Sequence, residues 1–136
     1  MSQVFIRDTL VEQLELWRTS NPTVEVFYED TTSPDLDSIS GPFIHAEFAW
    51  VEDEQIELAS GPNQKVRSFG FLELRIFSRV GAGSRARLVI AESLKQHFQR
   101  RNFSGVQTKT PQVRMQEEAK GWMALPIVIS FYRDTP

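Results

Sequence analysis

Residues 71–90, FLELRIFSRVGAGSRARLVI, join two different periodicities at a pair of glycines. Before the glycines, apolar and polar side chains alternate, which is typical of a β-strand. After them, apolar residues recur at helical spacing, so a helix is expected to begin near residue 84. A strand, a glycine loop and a helix in this order also form the phosphate-binding loops of enzymes. The stretch therefore decides both the fold class and whether a ligand site should be expected.

Hydrophobic periodicity predicts two helices and five strands along the chain. Apolar residues at intervals of three and four predict helices over residues 3–19 and 84–100. Alternating apolar and polar residues predict strands over five ranges: 23–29, 43–51, 66–79, 112–118 and 122–133. The order α-β-β-β-α-β-β favours an α+β fold with a mostly antiparallel sheet. Both helices are expected to pack on one face of that sheet.

Single residues refine these elements. Ser2 and Ser84 precede the predicted helices and are expected to act as N-caps. Pro126 has no amide hydrogen, so it predicts an edge position or a bulge in the last strand. The polar segments 30–42 and 52–65 are rich in turn-forming residues and are expected to be loops.

Each long strand has an aliphatic face and a mixed face. Leu72, Leu74 and Ile76 are expected in the core, where they would meet Leu94 of the second helix. The mixed face carries charges between large apolar side chains: Phe71, Phe77, Trp122, Val128 and Tyr132. Two interpretations remain open for these residues. They are scattered surface aromatics that need no function, or they cluster into a protein–protein interface.

The composition predicts one soluble domain spanning residues 1–136. Hydrophobic residues make up 40% of the chain and charged residues 24%, which suffices for one buried core. The absence of cysteine excludes disulfides, thiolate nucleophiles and cysteine zinc sites. The net charge of −3 gives no general attraction to nucleic acid or to an anionic membrane. Neither a signal peptide nor the run of about 20 apolar residues that spans a bilayer is expected.

The glycine joint lacks the residues that make a phosphate site. A P-loop ends in Gly-Lys-Ser/Thr, whereas GAGS (81–84) contains no lysine. A dinucleotide-binding loop would need a third glycine at Ala86 and a parallel strand pair. A helix N-terminus alone favours an anion by about 0.3–1 kcal/mol, far below the roughly 8 kcal/mol of micromolar affinity. Gly81 and Gly83 are therefore expected to provide only backbone geometry.

The need for a backbone turn at the glycine joint does not explain three arginines that lie around it. Arg79 precedes the glycines, and Arg85 and Arg87 lie in the first predicted helical turn, where positive charge is mildly unfavourable. Two interpretations remain open. The arginines are solvated, or they meet acidic residues of a partner or a phosphate backbone.

No catalytic residue, metal site or cofactor is expected, and the chain is not expected to be an enzyme. His45 and His97 are the only histidines, and each is interpreted as a hydrogen-bonded structural residue. The acidic pairs are expected in loops or turns, where solvent keeps them from becoming a matched acid and base. These pairs are Asp35/Asp37, Glu52/Glu54 and Glu117/Glu118.

The layout resembles the tail terminator, or tail-completion, proteins of long-tailed bacteriophages and prophages. The resemblance covers nearly the whole chain through its element order and several short features. These are GP (41–42), QIEL (55–58), the strand 67–77 with its glycine, GAGS (81–84) and GW (121–122). No functional residue is carried over, because none of these features is a functional motif.

The resemblance implies a structural role. Such proteins form a ring, commonly hexameric, on the head-proximal end of the tail tube, where they stop polymerisation and provide the surface for joining the head. The implied partners are further copies of the chain, the tail tube protein and a head-completion or connector protein. DNA would pass through the ring without sequence-specific contact, and no membrane is involved. The implied location is the virion tail, after assembly in the host cytoplasm.

Residues outside the core stripe are expected at the contacts of such a ring. Substitution of Trp122 or Arg85 is expected to weaken self-association more than stability. The expected interface residues are Phe71, Arg75, Phe77, Arg79, Arg85, Arg87, Trp122 and Tyr132. Two alternatives remain: another head–tail connector or neck subunit, and an enzyme that binds a small phosphate ligand at residues 81–87.

Overall fold

The computed structural model describes residues 2–29, 39, 41–51, 54–55 and 66–135. Within these residues there are two helices, α1 (Ser2–Ser20) and α2 (Arg85–Phe98). The nine strands of the described residues are β1 (Glu25–Tyr28), β2 (Phe43–Trp50), β3 (Glu54–Gln55), β4 (Val66–Arg79), β5 (Asn102–Phe103), β6 (Val106–Thr108), β7 (Gln112–Val113), β8 (Glu117–Ala119) and β9 (Trp122–Thr135).

The two longest strands, β4 and β9, form the centre of a single sheet. They pair antiparallel along all 14 residues of each, from Val66 opposite Thr135 to Arg79 opposite Trp122. The strand order across the sheet is β1-β2-β4-β9-β6-β5, with β3 on β4 and both β7 and β8 on β9. The edges of this path are therefore β1 on one side and β5 on the other.

The sheet is mixed, which corrects the prediction of a mostly antiparallel sheet with five strands. β1 pairs with β2 in parallel, with Glu25 opposite Phe43 and Tyr28 opposite Ala46. Short strands β3 and β5 to β8 also extend the order α-β-β-β-α-β-β predicted from the sequence. The α+β class is confirmed, and the long elements lie close to their predicted ranges.

The hydrophobic core lies between the two helices and one face of the sheet. Periodic residues of α1 and α2 pack against Leu72, Leu74 and Ile76 of β4 and against the facing residues of β9. Trp17 Nε1 of α1 also donates a hydrogen bond to Ser93 Oγ of α2 at 2.9 Å, which ties the helices together. The prediction that both helices cover one face is therefore confirmed.

Leu74→Ala and Leu94→Ala should each lower the free energy of unfolding by about 2–5 kcal/mol, because each leaves a cavity in a packed core. Both side chains are completely buried. Urea unfolding of the two variants checks this expectation. A midpoint equal to that of the parent would show that the core face has been assigned to the wrong residues.

The glycine joint provides backbone geometry, as predicted. Gly81 and Gly83 have φ of 94° and 85°, a left-handed conformation that costs glycine little. Ser84 is the N-cap residue of α2, but its hydroxyl makes no capping hydrogen bond, so that part of the prediction is wrong. Ser2 is the first residue of α1 rather than a residue before it.

Pro126 lies in the interior of the sheet, so the predicted edge position is wrong, and β9 continues through Pro126 without a break in its pairing with β4. On one side Pro126 is paired with Arg75 of β4. On its other side, residues 114–116 interrupt the ladder between β7 and β8, and only Arg114 N donates to the Pro126 carbonyl, at 2.8 Å. Because the ladder is interrupted here, no neighbouring strand requires a hydrogen bond from the backbone nitrogen of Pro126, which has no hydrogen to donate.

Candidate functional site

The outer face of the sheet is the side that points away from the two helices. The antiparallel register of β2, β4 and β9 determines which side chains lie next to each other in the middle of this face. Six of the eight residues predicted at an interface lie on this face: Phe71, Arg75, Phe77, Arg79, Trp122 and Tyr132. Arg85 and Arg87 lie on α2 instead.

An aromatic cluster covers one end of the outer face. Phe43 of β2 stacks on Phe77 of β4, with ring centroids 4.7 Å apart. Its ring also meets Phe27 and Trp122 edge-on, with centroids 5.7 Å and 5.0 Å away. We call Phe27, Phe43, Phe77 and Trp122 the outer aromatic cluster; it forms a second apolar centre opposite the main core.

Trp122 is buried inside this cluster, which corrects the expectation that it is exposed. Only 2% of its surface is accessible. The Arg79 guanidinium lies 4.3 Å from its ring centroid and donates a hydrogen bond to the Ile39 carbonyl at 3.3 Å. Arg79 therefore covers the tryptophan, and a monomer cannot offer Trp122 to a partner without rearranging.

A charged group occupies the middle of the outer face. Arg75 forms a close ion pair with Glu73 of its own strand and lies 3.6 Å from Glu117 of β8. The hydrogen bond that Arg75 donates to the Glu73 carboxylate raises the pKa of Arg75, so the guanidinium remains charged. Glu117 therefore lies in a strand and partners an arginine, rather than lying in a solvated turn. Arg75 is already partnered within its own chain.

Phe71 and Tyr132 lie near the opposite end of the outer face. They line an open depression of about 280 Å³ together with Arg67, Lys109 and other residues of β4 and β9. The Tyr132 hydroxyl donates to Gln107 Oε1 at 3.0 Å, and the Arg67 guanidinium lies 4.3 Å from the tyrosine ring centroid. Phe71 is 39% exposed, so it is the large apolar residue of this group that a partner can reach.

Arg87 is buried within its own chain, which corrects the interpretation of this one joint arginine as solvated or partner-bound. Its exposed fraction is 4%, and it hydrogen-bonds to Ser78 Oγ. It also donates to Gln116 Oε1 at 2.9 Å and to the Gly83 carbonyl at 3.3 Å. These bonds hold the start of α2 against β4 and the 114–116 segment. Arg85 is exposed, as expected.

Arg87→Ala should lower the free energy of unfolding by about 2–3 kcal/mol, because it removes several hydrogen bonds to a charged group. Arg85→Ala, two residues earlier on the same helix, is the matched control and should leave the stability essentially unchanged. Thermal and urea unfolding of both variants measure the difference. Equal losses would mean that Arg87 does not fasten α2 to the sheet.

The histidines and carboxylates form no recognisable reaction centre in the described residues. His97 Nε2 is 3.1 Å from Gln13 Oε1, so the prediction of a hydrogen-bonded structural histidine is confirmed for it. Burial and the nearby charge of Arg101 lower the pKa of His97. Asp35, Asp37 and Glu52 lie outside the described residues.

In residues 2–29, 41–51 and 66–135, no group of three or more His, Asp or Glu side chains is arranged to hold a metal ion. Neither described helix has the length and apolar character of a membrane span.

The sequence reasoning missed the outer aromatic cluster as a unit. Phe43, Phe77 and Trp122 all lie on the outer face of the sheet, and alternation predicts this face for Phe77 and Trp122. What alternation could not supply was the register that sets Phe43 opposite Phe77.

Comparison with known proteins places this fold in a family. The family model described as "Phage tail terminator protein" matches residues 5–131, which includes most of α1, all of α2 and most of β9. A solved structure with 18% sequence identity has a TM-score of 0.71 over 100% of this chain and 97% of that chain, a likeness that shows the fold alone. No curated protein matches the chain. Because the family model covers nearly the whole sequence, the chain belongs to the phage tail terminator family, a family of structural phage tail proteins.

Proposed function

We propose that this protein caps the head-proximal end of the phage tail tube as a homomeric ring. The ring stops polymerisation of the tube and provides the surface to which the head is joined. The observation that carries the proposal is the family match over residues 5–131, because it spans the fold from α1 to β9. The proposed partners are further copies of the chain, the tail tube protein and a head-completion protein.

The positions of the exposed apolar residues support the proposal that each subunit has several contact surfaces. Leu88 and Val89 project from α2, while Val113 and Met115 project from the segment beside β9. Met115 is 88% exposed, so its side chain is accessible to a partner. A ring subunit has a neighbour on each side, the tube below and the head above, so it needs more than one such surface.

An assembly reaction tests the capping role. Purified protein added to polymerising tail tube protein should stop tube lengthening, and negative-stain images should show a ring at one end of each tube. An unrelated protein of similar size, added at the same concentration, is the control for nonspecific effects of added protein. Continued lengthening with bare tube ends in the presence of folded protein would refute the proposal.

The same experiment separates the terminator from another neck subunit. A neck or connector subunit should leave tube lengthening unchanged and should bind instead to heads or to tubes that already carry a terminator. Such an outcome would place the chain elsewhere in the head–tail joint and would count against capping.

A further inference from the structure

One stretch of this chain is strongly basic, although the net charge of the whole chain is −3. Residues 93–116 contain five Lys and Arg and no Asp or Glu. The structure describes all of these residues, from the second half of α2 through β5, β6 and β7 to the segment before β8. The cations of this stretch must therefore find their counter-charges elsewhere in the fold, in solvent or on a ligand.

Three of these cations lie together at the edge of the sheet formed by β5 and β6. Arg100, Arg101 and Lys109 line an open depression of about 440 Å³. All three residues are exposed, and none forms an ion pair with a carboxylate in the part of the chain that the structure describes. The one carboxylate of β9, Asp134, is held by Arg67 through two hydrogen bonds of 2.8 and 3.1 Å. We call Arg100, Arg101 and Lys109 the basic edge.

The local structure accounts for only part of this cluster. Arg100 and Arg101 follow the end of α2, where the helix dipole favours positive charge. Lys109, however, follows strand β6 and gains nothing from that dipole. Arg100 also has φ of 50°, at a position after a helix where glycine is the usual residue. The edge therefore carries more positive charge than its own chain uses.

The rest of the depression is lined by neutral side chains that can form hydrogen bonds. They are Asn102, Gln107, Thr108, Thr110 and Tyr132. No Val, Leu, Ile, Met or Phe is among the described residues that line it, whereas the centre of a protein–protein interface is usually built on apolar and aromatic anchors. Side chains of Arg, Lys, Asn, Gln, Thr and Tyr are those that contact phosphate oxygens in protein–DNA complexes. The lining therefore fits phosphate groups better than it fits a protein partner.

The depression continues onto the outer face of the sheet. Lys109 and Tyr132 also line the neighbouring depression of about 280 Å³, which contains Arg67 and Phe71. The Tyr132 hydroxyl donates to Gln107 Oε1 at 3.0 Å, so the amide nitrogen of Gln107 still has hydrogens to donate. An open surface of this kind suits a chain that lies across it, whereas a small ligand is usually held in a pocket that buries most of its surface.

We propose that the basic edge binds the phosphate backbone of double-stranded nucleic acid without reading its sequence. The inference deepens the proposed function, on which it rests for its location: in the capping ring, the edge formed by β5 and β6 faces the channel through which DNA passes. The binding itself is a property of each copy and does not require the ring.

The negative charge of the whole chain does not prevent this contact. The Debye length at physiological ionic strength is about 8 Å, so a phosphate in the depression responds mainly to the charges around it. Single-stranded nucleic acid fits less well, because its binding relies on aromatic rings on which the bases stack. Tyr132 is the aromatic residue that lines the depression, and the Arg67 guanidinium lies 4.3 Å from its ring centroid. Its ring is already covered, so the surface favours the duplex backbone.

The salt dependence of DNA binding tests the inference. Three phosphate contacts predict a slope of about −2.7 in log K against log salt, so the affinity of one copy for a short duplex should fall about 500-fold between about 0.02 and 0.2 M salt. A ring, which presents several copies, should show a steeper slope. Fluorescence anisotropy of labelled duplexes measures the affinity. Two duplexes of unrelated sequence should bind equally, because phosphate contacts carry no sequence information.

A neutralised variant and a matched control locate the binding. The variant replaces the three cations of the basic edge by glutamine: Arg100→Gln, Arg101→Gln and Lys109→Gln. It should bind at least about tenfold more weakly at low salt and should lose most of the slope. The control replaces three exposed cations outside the depression: Arg18→Gln, Arg114→Gln and Lys120→Gln. It changes the net charge equally and should keep the slope of the parent. Both should keep the melting temperature of the parent, because all six residues are exposed.

Three results would overturn the inference. The first is a parent that does not bind the duplex at low salt, and the second is a neutralised variant that binds as the parent does. The third is an equal loss in the variant and the control, because net charge rather than the depression would then drive the binding.

Two further results would assign the depression to another ligand. If the neutralised variant keeps its DNA binding but fails to assemble with other copies or with tail tubes, the basic edge is a protein contact. If inorganic phosphate displaces the duplex more than chloride does at the same ionic strength, the depression holds a free anion. A protein that caps tubes but does not bind DNA refutes this inference alone, whereas one that binds DNA through the basic edge but leaves tubes uncapped refutes the proposed function alone.

Discussion

Gly70→Ala is expected to lower the free energy of unfolding by about 3 kcal/mol, because the added methyl group overfills a packed position. A Cβ at residue 70 would collide with the Ala49 carbonyl oxygen and would lie 3.0 Å from Phe131 Cζ. Gly70 lies opposite Trp50 on one side and Phe131 on the other, so neither neighbouring strand can move without disturbing the sheet. The φ of Gly70 is not left-handed, so the loss measures the lack of space rather than backbone strain.

Gly41→Ala is the matched control. An added Cβ there meets no atom within 4 Å of the described chain, and the φ of Gly41 is not left-handed either. Urea unfolding should therefore show a large loss for Gly70→Ala and almost none for Gly41→Ala. Similar midpoints for the two variants would mean that β2 and β9 do not close on residue 70 as described.

Trp122→Ala is expected to cost about 3–5 kcal/mol of folding stability, because it removes the largest buried side chain of the outer aromatic cluster. Phe43 loses an edge-on contact at 5.0 Å, and the Arg79 guanidinium loses the ring that it covers. This result would reverse the expectation from sequence, in which the same substitution weakens self-association more than it lowers the stability of the monomer.

Phe71→Ala provides the comparison on the same face of the sheet. Phe71 is 39% exposed, so its removal should cost much less stability than the removal of Trp122. Thermal unfolding gives the stability of each variant, and sedimentation of the folded protein gives its association. If Trp122→Ala melts like the parent but fails to associate, the tryptophan is an interface residue and its burial in the monomer has been misjudged.

The long elements could be predicted because their periodicity is unambiguous. Strand β4 alternates over 14 residues, and α2 repeats apolar residues on one stripe, so both were placed within one or two residues of their observed bounds. Leu74 and Leu94 were assigned to the core for the same reason. Periodicity reports which face of an element a residue occupies, and the core face follows directly from it.

The strand pairings could not be predicted in full, since pairing depends on connections rather than on faces. Neighbouring strands were expected to form antiparallel hairpins, but residues 29–42 between β1 and β2 are long enough for the crossover that parallel strands require. The β5–β6 hairpin was missed because its strands have two and three residues. Ser104 and Gly105 both have positive φ between them, and the dipeptide Ser-Gly was the available signal.

The interface residues could not all be predicted, because the sequence pattern shows which face a residue occupies but not what covers that face. Alternation placed Trp122 on the mixed face, yet it could not show that Phe43 and Arg79 cover it there. Likewise, Arg87 lies beside the exposed Arg85 in sequence, but the helical turn directs it to Ser78 of β4. Exposure depends on what lies above a face, which only the assembled fold determines.

The length of phage tails assembled without this protein tests the central claim most directly. In a phage whose gene for this chain has been deleted, electron microscopy should show headless tails of abnormal and variable length, and plasmid expression of the chain should restore a single length. Tails of normal length joined to heads, with normal infectivity, would contradict the account.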